Sequence, residues 1–149
     1  MKVSKEPHLL ARLREAVPQV REINIANSGV SYHCYLSLHK TAEGQARQAL
    51  MCLFGLDYEF KLAIAVDEDI DINNSDDVLW AVATRMQPDQ RVFIVPEVFC
   101  CPLDPSSSGG VSAKMGIDAT APLHSRTVRC EVSSEGKAHA AEILGRRAG

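Results

Sequence analysis

The 149 residues, 46% of them hydrophobic and 23% charged, have the usage of an ordinary soluble domain, which at this length buries roughly 68–70% of its unfolded surface without disulfides or metals. Sixteen basic against nineteen acidic residues give a net charge of −3, and no basic stripe interleaved with aromatics runs along the chain, so nucleic acid is set aside as a partner. No apolar run approaches the ~20 residues that span a bilayer, and the polar start Met1-Lys-Val-Ser-Lys-Glu-Pro-His8 lacks a signal-peptide core, so no membrane partner and a cytoplasmic setting are expected.

Pro7 is placed to open a helix, with Leu9, Leu10, Leu13, Ala16 and Val17 at helical spacing until Pro18 stops it. Val20 to Ile25 alternates apolar and polar residues, Ser28-Gly29 supplies a turn, and Tyr32 to Leu38 alternates again, which predicts two strands joined as a hairpin. Thr41 to Phe54 suits a helix, and Gly55 provides its stop. Lys61 to Val66 is nearly all apolar, as a strand buried on both faces would be. Asn74 or Ser75 can cap a well-buried helix from Asp76 to Met86, with Asp76 and Asp77 opposing the positive end of its dipole.

Pro88 ends that helix, and Arg91 to Val95 forms a fourth strand reaching Pro96, so that the strand, helix and strand make a right-handed parallel crossover. Pro102 to Gly110 reads as a long loop. Thr127 to Val132 is a short strand and Glu135 to Arg147 a terminal helix. The sum is one α/β domain over 1–149, with α+β as the alternative: a mixed β-sheet, flanking helices and a mobile loop near residues 100–120.

Four acids, Asp67, Glu68, Asp69 and Asp71, stand where the buried third strand meets a turn, the place where an alternating fold opens a ligand crevice. Mutual repulsion there can make an acid, a base or a magnesium site. The competing reading, and the one adopted, is structural: the carboxylates cap backbone N–H groups of the turn and the next helix. Cys34, Cys52, Cys100, Cys101 and Cys130 form no CxxC pair or zinc spacing, which suits reduced cytosolic thiols and no structural metal. Cys100 and Cys101 can in principle supply a thiolate, but no base is near in sequence, so small buried side chains are expected. The loop Ser106 to Lys114 can wrap an anion, with Ser112 and Lys114 as ligands, yet it lacks P-loop spacing, so a flexible loop is the default. His39 with Lys40, and His124 with Arg126, read as solvated surface groups.

The segments Val66-Asp-Glu-Asp-Ile-Asp-Ile72, Asp77-Val-Leu-Trp-Ala-Val-Ala-Thr-Arg85 with Pro88, Pro102-Leu-Asp-Pro105 and Lys114-Met-Gly-Ile-Asp-Ala-Thr120 closely resemble the C-terminal domain of the UbiD-type carboxy-lyases, the 3-polyprenyl-4-hydroxybenzoate decarboxylase family. Lys40-Thr-Ala-Glu-Gly44 fits the entry of the same domain, and the likeness covers about residues 7–122, leaving 121–149 as a divergent tail. The resemblance implies decarboxylation of aromatic or α,β-unsaturated acids with prenylated FMN, a divalent metal and potassium. It implies that these groups, and the glutamate–arginine–glutamate catalytic set, belong to an N-terminal flavin domain, so that no catalytic residue, cofactor or metal is expected on this chain. It places Cys101 and Leu103 in the substrate-pocket wall, where they select shape. A lysine that some members carry just before the third strand finds no clear counterpart, Phe54 and its neighbours occupying that region.

Three functions follow as expectations. The first is an accessory or small subunit that completes the active site of a separately encoded flavin-domain decarboxylase. The alternative is a homo-oligomeric small-ligand-binding or scaffold protein built on the family's dimer surface. Autonomous catalysis by the acidic turn ranks last, because no paired acid and base accompany it.

Overall fold

A computed structural model describes residues 2–125 and 132–147. The first helix, α1 (Lys2–Ala16), is followed by β1 (Val20–Ala26), β2 (His33–Leu38), α2 (Gln45–Leu56), β3 (Leu62–Asp67), α3 (Ser75–Arg85), the single turn α4 (Pro88–Arg91), β4 (Val92–Phe99), β5 (Val111–Asp118) and α5 (Ser134–Arg147). The five strands form one sheet in the order β1-β2-β3-β5-β4. β1 and β2 are the expected antiparallel hairpin, β2, β3 and β5 run parallel, and β4 returns antiparallel to β5. The domain is therefore mixed α/β. None of the helices among the described residues is long and apolar enough to cross a membrane.

The pleat divides the core into two layers. Ala63 and Ala65 of β3 face α1 and α2 together with Ile23, Ile25, Leu36 and Leu38. On α2, Ala46, Ala49, Leu50 and Leu53 are buried, the i, i+3, i+4, i+7 stripe of a helix lying on a sheet. Each fully buried leucine there contributes about 1.5–3 kcal/mol of transfer free energy. Ile64 and Val66 face the opposite side with Tyr35, Ile70, Ile72, Val78 and Ala81 under α3. The expectation of a third strand buried on both faces is met from Ala63 to Val66, while Lys61 and Leu62 at its start are only half-buried.

Several boundaries and one connection differ from the sequence reading. α1 begins at Lys2 and contains Pro7; one absent N–H costs a single intrahelical bond, which the packing of Leu9, Leu13 and Val17 in the core outweighs. Gly55 lies inside α2, whose cap is Asp57 with its N–H on the Leu53 carbonyl. α3 is not well buried: only Val78 and Ala81 are fully covered, and Leu79 is 54% exposed, because the helix touches the sheet along one narrow stripe.

The parallel crossover is β2-α2-β3, one unit earlier than expected. β4 runs antiparallel because the stretch 100–120, expected as a mobile loop, contains β5, which inserts between β3 and β4. Gly109 and Gly110 both have positive φ, 62° and 76°, and Ser108 and Val111 exchange both backbone hydrogen bonds at 3.3 and 3.2 Å. That is the two-residue hairpin turn which only a pair such as Gly-Gly adopts without strain. The expected strand at Thr127–Val132 falls largely outside the described residues; the terminal helix is present as α5.

Candidate functional site

At one end of the sheet, between β4 and the Gly109-Gly110 turn, the chain makes two successive proline turns. The Asp104 N–H donates to the Cys101 carbonyl at 3.0 Å, and the Ser107 N–H donates to the Asp104 carbonyl at 3.1 Å. Pro102 and Pro105 occupy the second position of each turn, where their fixed φ is already correct. Leu103 sits at the apex of the first turn, 81% exposed.

The loop is pinned from beneath. Asp104 is buried, and its carboxylate accepts from the Ser106 N–H at 3.0 Å, the Ser106 hydroxyl at 2.8 Å and the Lys61 ammonium at 2.8 and 3.1 Å. Lys61 also donates to the Ser106 hydroxyl. The Lys61 hydrogen bond, followed by those from Ser106, holds the Asp104 carboxyl down to about 2. Lys61 directly precedes β3, so a lysine does stand before the third strand.

Around the loop the surface is aromatic and apolar. The Tyr58 and Phe99 rings meet with centroids 5.2 Å apart, both exposed to solvent. Tyr32 contacts Cys101, and desolvation, then the proximity of Cys101, raises its phenol above the ordinary value. Cys101 is half-buried and Cys100 buried. Ser112 and Lys114 lie on β5 rather than in a loop. Lys114 is 1% exposed and its ammonium donates to the Tyr58 carbonyl beneath the surface, where burial lowers its pKa.

The acidic turn stands at the opposite end, at the carboxyl ends of the parallel strands. Its four carboxylates do not share one site: Asp67 and Asp69 meet on Arg85, while Glu68 and Asp71 bond elsewhere. The Arg85 guanidinium, 7% exposed, bonds Asp67 at 2.7 Å and Asp69 at 2.6 and 2.7 Å. Glu68 meets His39 at 2.7 Å, and Asp71 accepts from the Asn73 N–H at 2.9 Å. Asp67 further accepts from the Ala121 N–H at 2.7 Å. Asn74 caps α3 by accepting from the Asp76 N–H at 3.0 Å.

Beside the turn lies a residue the sequence reading placed in solvent. Lys40 is buried, and its ammonium donates to Glu43 at 3.0 Å, the Thr120 hydroxyl at 2.9 Å and the Ala121 carbonyl at 2.6 Å. Its motif Lys40-Thr-Ala-Glu-Gly44 was the available signal. A neighbouring cleft is lined by Glu43, Arg47, Gln90, Arg91, Asp118 and His124, with Arg91 paired to Asp118 at 2.7 Å; Arg126 lies outside the described residues.

The divalent metal that the resemblance assigns to a flavin domain finds no set of ligands among the described residues of this chain. Among the described residues no three of His, Cys, Asp and Glu converge as metal ligands, and Asp67, Asp69 and Asp104 are taken up by Arg85 and Lys61. What the double proline turn can offer chemically is a fixed apolar contact.

Comparison with known proteins bears on what that contact serves. Residues 1–119 match the profile of the 3-octaprenyl-4-hydroxybenzoate carboxy-lyase C-terminal domain. The chain belongs to this family. Among the relatives of this UbiD-type C-terminal domain, anhydromevalonate phosphate decarboxylase of Aeropyrum pernix is 37% identical over 120 residues, 80% of this chain and 28% of its own length. Phenolic acid decarboxylase of Bacillus subtilis is 35% identical over 127 residues, 80% of this chain and 26% of its own. The UbiD-class enzyme HmfF from Pelotomaculum thermopropionicum, solved in complex with FMN, superposes with a TM-score of 0.85 at 39% identity, covering 95% of this chain and 33% of that one. The chain thus spans between a quarter and a third of the length of these relatives.

Proposed function

We propose that this chain is the C-terminal component of a UbiD-type carboxy-lyase. In this reading it docks on a separately encoded flavin-binding chain, and together they replace the carboxylate of an aromatic or α,β-unsaturated acid by hydrogen, releasing CO2. The observation that carries it is Leu103, an exposed apolar side chain at the apex of the first of two successive hydrogen-bonded proline turns, in a loop that follows the exposed Phe99, itself in ring contact with the exposed Tyr58. An isolated globule gains nothing by ordering such a patch in water; a partner surface does. Cys101 and Leu103 would line the substrate pocket and select shape, the partner holding prenylated FMN and its metal and breaking the bond. Support comes from relatives named anhydromevalonate phosphate decarboxylase and phenolic acid decarboxylase and from HmfF structures in complex with FMN and with prFMN. Thiols at Cys34, Cys52, Cys100 and Cys101 rather than disulfides fit a cytoplasmic setting.

Co-expression with a flavin-domain chain of the same organism, followed by size exclusion and an assay of CO2 release from cinnamic and hydroxybenzoic acids, tests the reading. A complex whose turnover requires both chains is expected; the absence of any complex, or turnover independent of this chain, refutes it. A homo-oligomeric scaffold is favoured by one feature, the open apolar face of β4 and β5 carrying Ile94, 63% exposed, opposite Met115, 37% exposed. Light scattering on the chain alone decides that point.

A further inference from the structure

We propose that Asp104 is the positioning residue of the pocket wall: by joining both proline turns to Lys61 it holds Leu103 in a single orientation and so sets which acid outlines are admitted. The inference rests on the function proposed above and extends it to a residue that touches no substrate.

Asp104 belongs to both turns at once. Its N–H closes the first, and its carbonyl closes the second, accepting from the Ser107 N–H and, at 2.8 Å, from the Ser107 hydroxyl. Its carboxylate then reaches down to Lys61. That lysine is fixed to the sheet through its backbone, the Lys61 N–H donating to the Tyr32 carbonyl and the Met115 N–H to the Lys61 carbonyl, each at 2.8 Å. The tether therefore runs from the loop apex to the start of β3, the central strand of the sheet, through Asp104 and Lys61. The Asp104 side chain is 6% exposed while Lys61 keeps 39%.

Leu103 contributes little to its own placement, since most of its surface faces solvent. Its position is set by the backbone beneath it, and the backbone by Asp104. Pro102 and Pro105 fix only two φ angles and leave the tilt of the loop against the sheet open. An ion pair buried on its carboxylate side only commonly adds little net stability and can be retained where one arrangement must be selected over others. The Lys61 hydrogen bond, followed by those from Ser106, keeps the carboxyl charged at neutral pH.

Asp104→Asn retains shape and one acceptor but removes the charge; Lys61→Met removes the tether from the other side. In the full chain, amide hydrogen exchange at Ser106 and Ser107 should accelerate at least tenfold in either variant, with Lys61 and Met115 amides unchanged. In the complex with the flavin-domain chain loaded with prenylated FMN, kcat for crotonic acid should stay within twofold. The ratio of kcat/KM for crotonic over cinnamic acid should change at least fivefold, mostly through KM. Unchanged exchange in both variants overturns the clamp whatever the partner does. Accelerated exchange with an unchanged ratio overturns the selectivity role. Failure of the native chain to support turnover removes the proposed function and the selectivity role with it, while the exchange result still decides whether Asp104 orders the loop.

Discussion

Replacing Lys40 by Met tests the least expected feature of this domain, a lysine buried beside the acidic turn. Methionine keeps most of the apolar stem, so the packing term is small and the loss reports the ammonium. The three contacts differ in weight. Glu43 keeps 46% side-chain exposure and can return to water, so its pair contributes about 0–1 kcal/mol. Thr120 is fully buried and the Ala121 carbonyl is half-buried; leaving such acceptors without a donor costs about 1–3 kcal/mol, with the Thr120 hydroxyl partly compensated by its bond to Asp118 at 2.6 Å. The sum is about 2–4 kcal/mol, a fall in Tm on the order of 10 °C for a domain of this size. Urea unfolding followed by circular dichroism measures it, and a double-mutant cycle with Thr120→Val isolates the pair. A loss below about 0.5 kcal/mol, or no coupling to Thr120, would mean that the ammonium is solvated and that the burial argument is wrong.

Arg85→Met should destabilise by about 2–3 kcal/mol, below the full cost of an orphaned buried charge because Asp67 and Asp69 keep 22% and 51% exposure; a urea midpoint close to the native one would count against Arg85 as the neutraliser of the turn. Gly116→Ala places a Cβ 2.3 Å from the Phe93 ring, itself held edge-on by Phe54 and under Arg47, so a cost of about 1–3 kcal/mol is expected. Adding Phe93→Leu should recover part of it, and no recovery would exonerate the ring. Burial lowers the His33 pKa from its ordinary value near 6.5, so the unfolded chain binds the extra proton and stability should fall as the pH drops below about 6.5. In His33→Gln, thermal melts between pH 5 and 7.5 should show a flatter slope; an identical slope sinks the assignment.

Much of the architecture was legible in local pattern. The alternation from Val20 and from Tyr32, the apolar run after Lys61 and the Asn74 cap each determine their element within a few residues, because period and capping are short-range effects. β5 was missed although Gly109-Gly110 is a hairpin signal. The Pro and Ser residues before it outweighed two glycines whose meaning depends on a strand at either side. The sequence of α3, apolar nearly all round, predicts burial, whereas exposure depends on how much sheet lies beneath the helix.

The site divides in the same way. Sequence alone supplied the family motifs, and the resemblance they carry pointed to Cys101 and Leu103; that Leu103 stands at the apex of a turn is local, since Pro102 fixes the backbone there. Only the tertiary structure decided that Asp104 is clamped by Lys61, 43 positions away, that Lys40 is buried on Thr120, 80 positions away, and that Arg85 gathers two acids of the turn. A charged side chain next to its neighbours in sequence looks solvated. Whether it is desolvated and paired depends on which distant strands the sheet brings beside it, here on the insertion of β5 between β3 and β4.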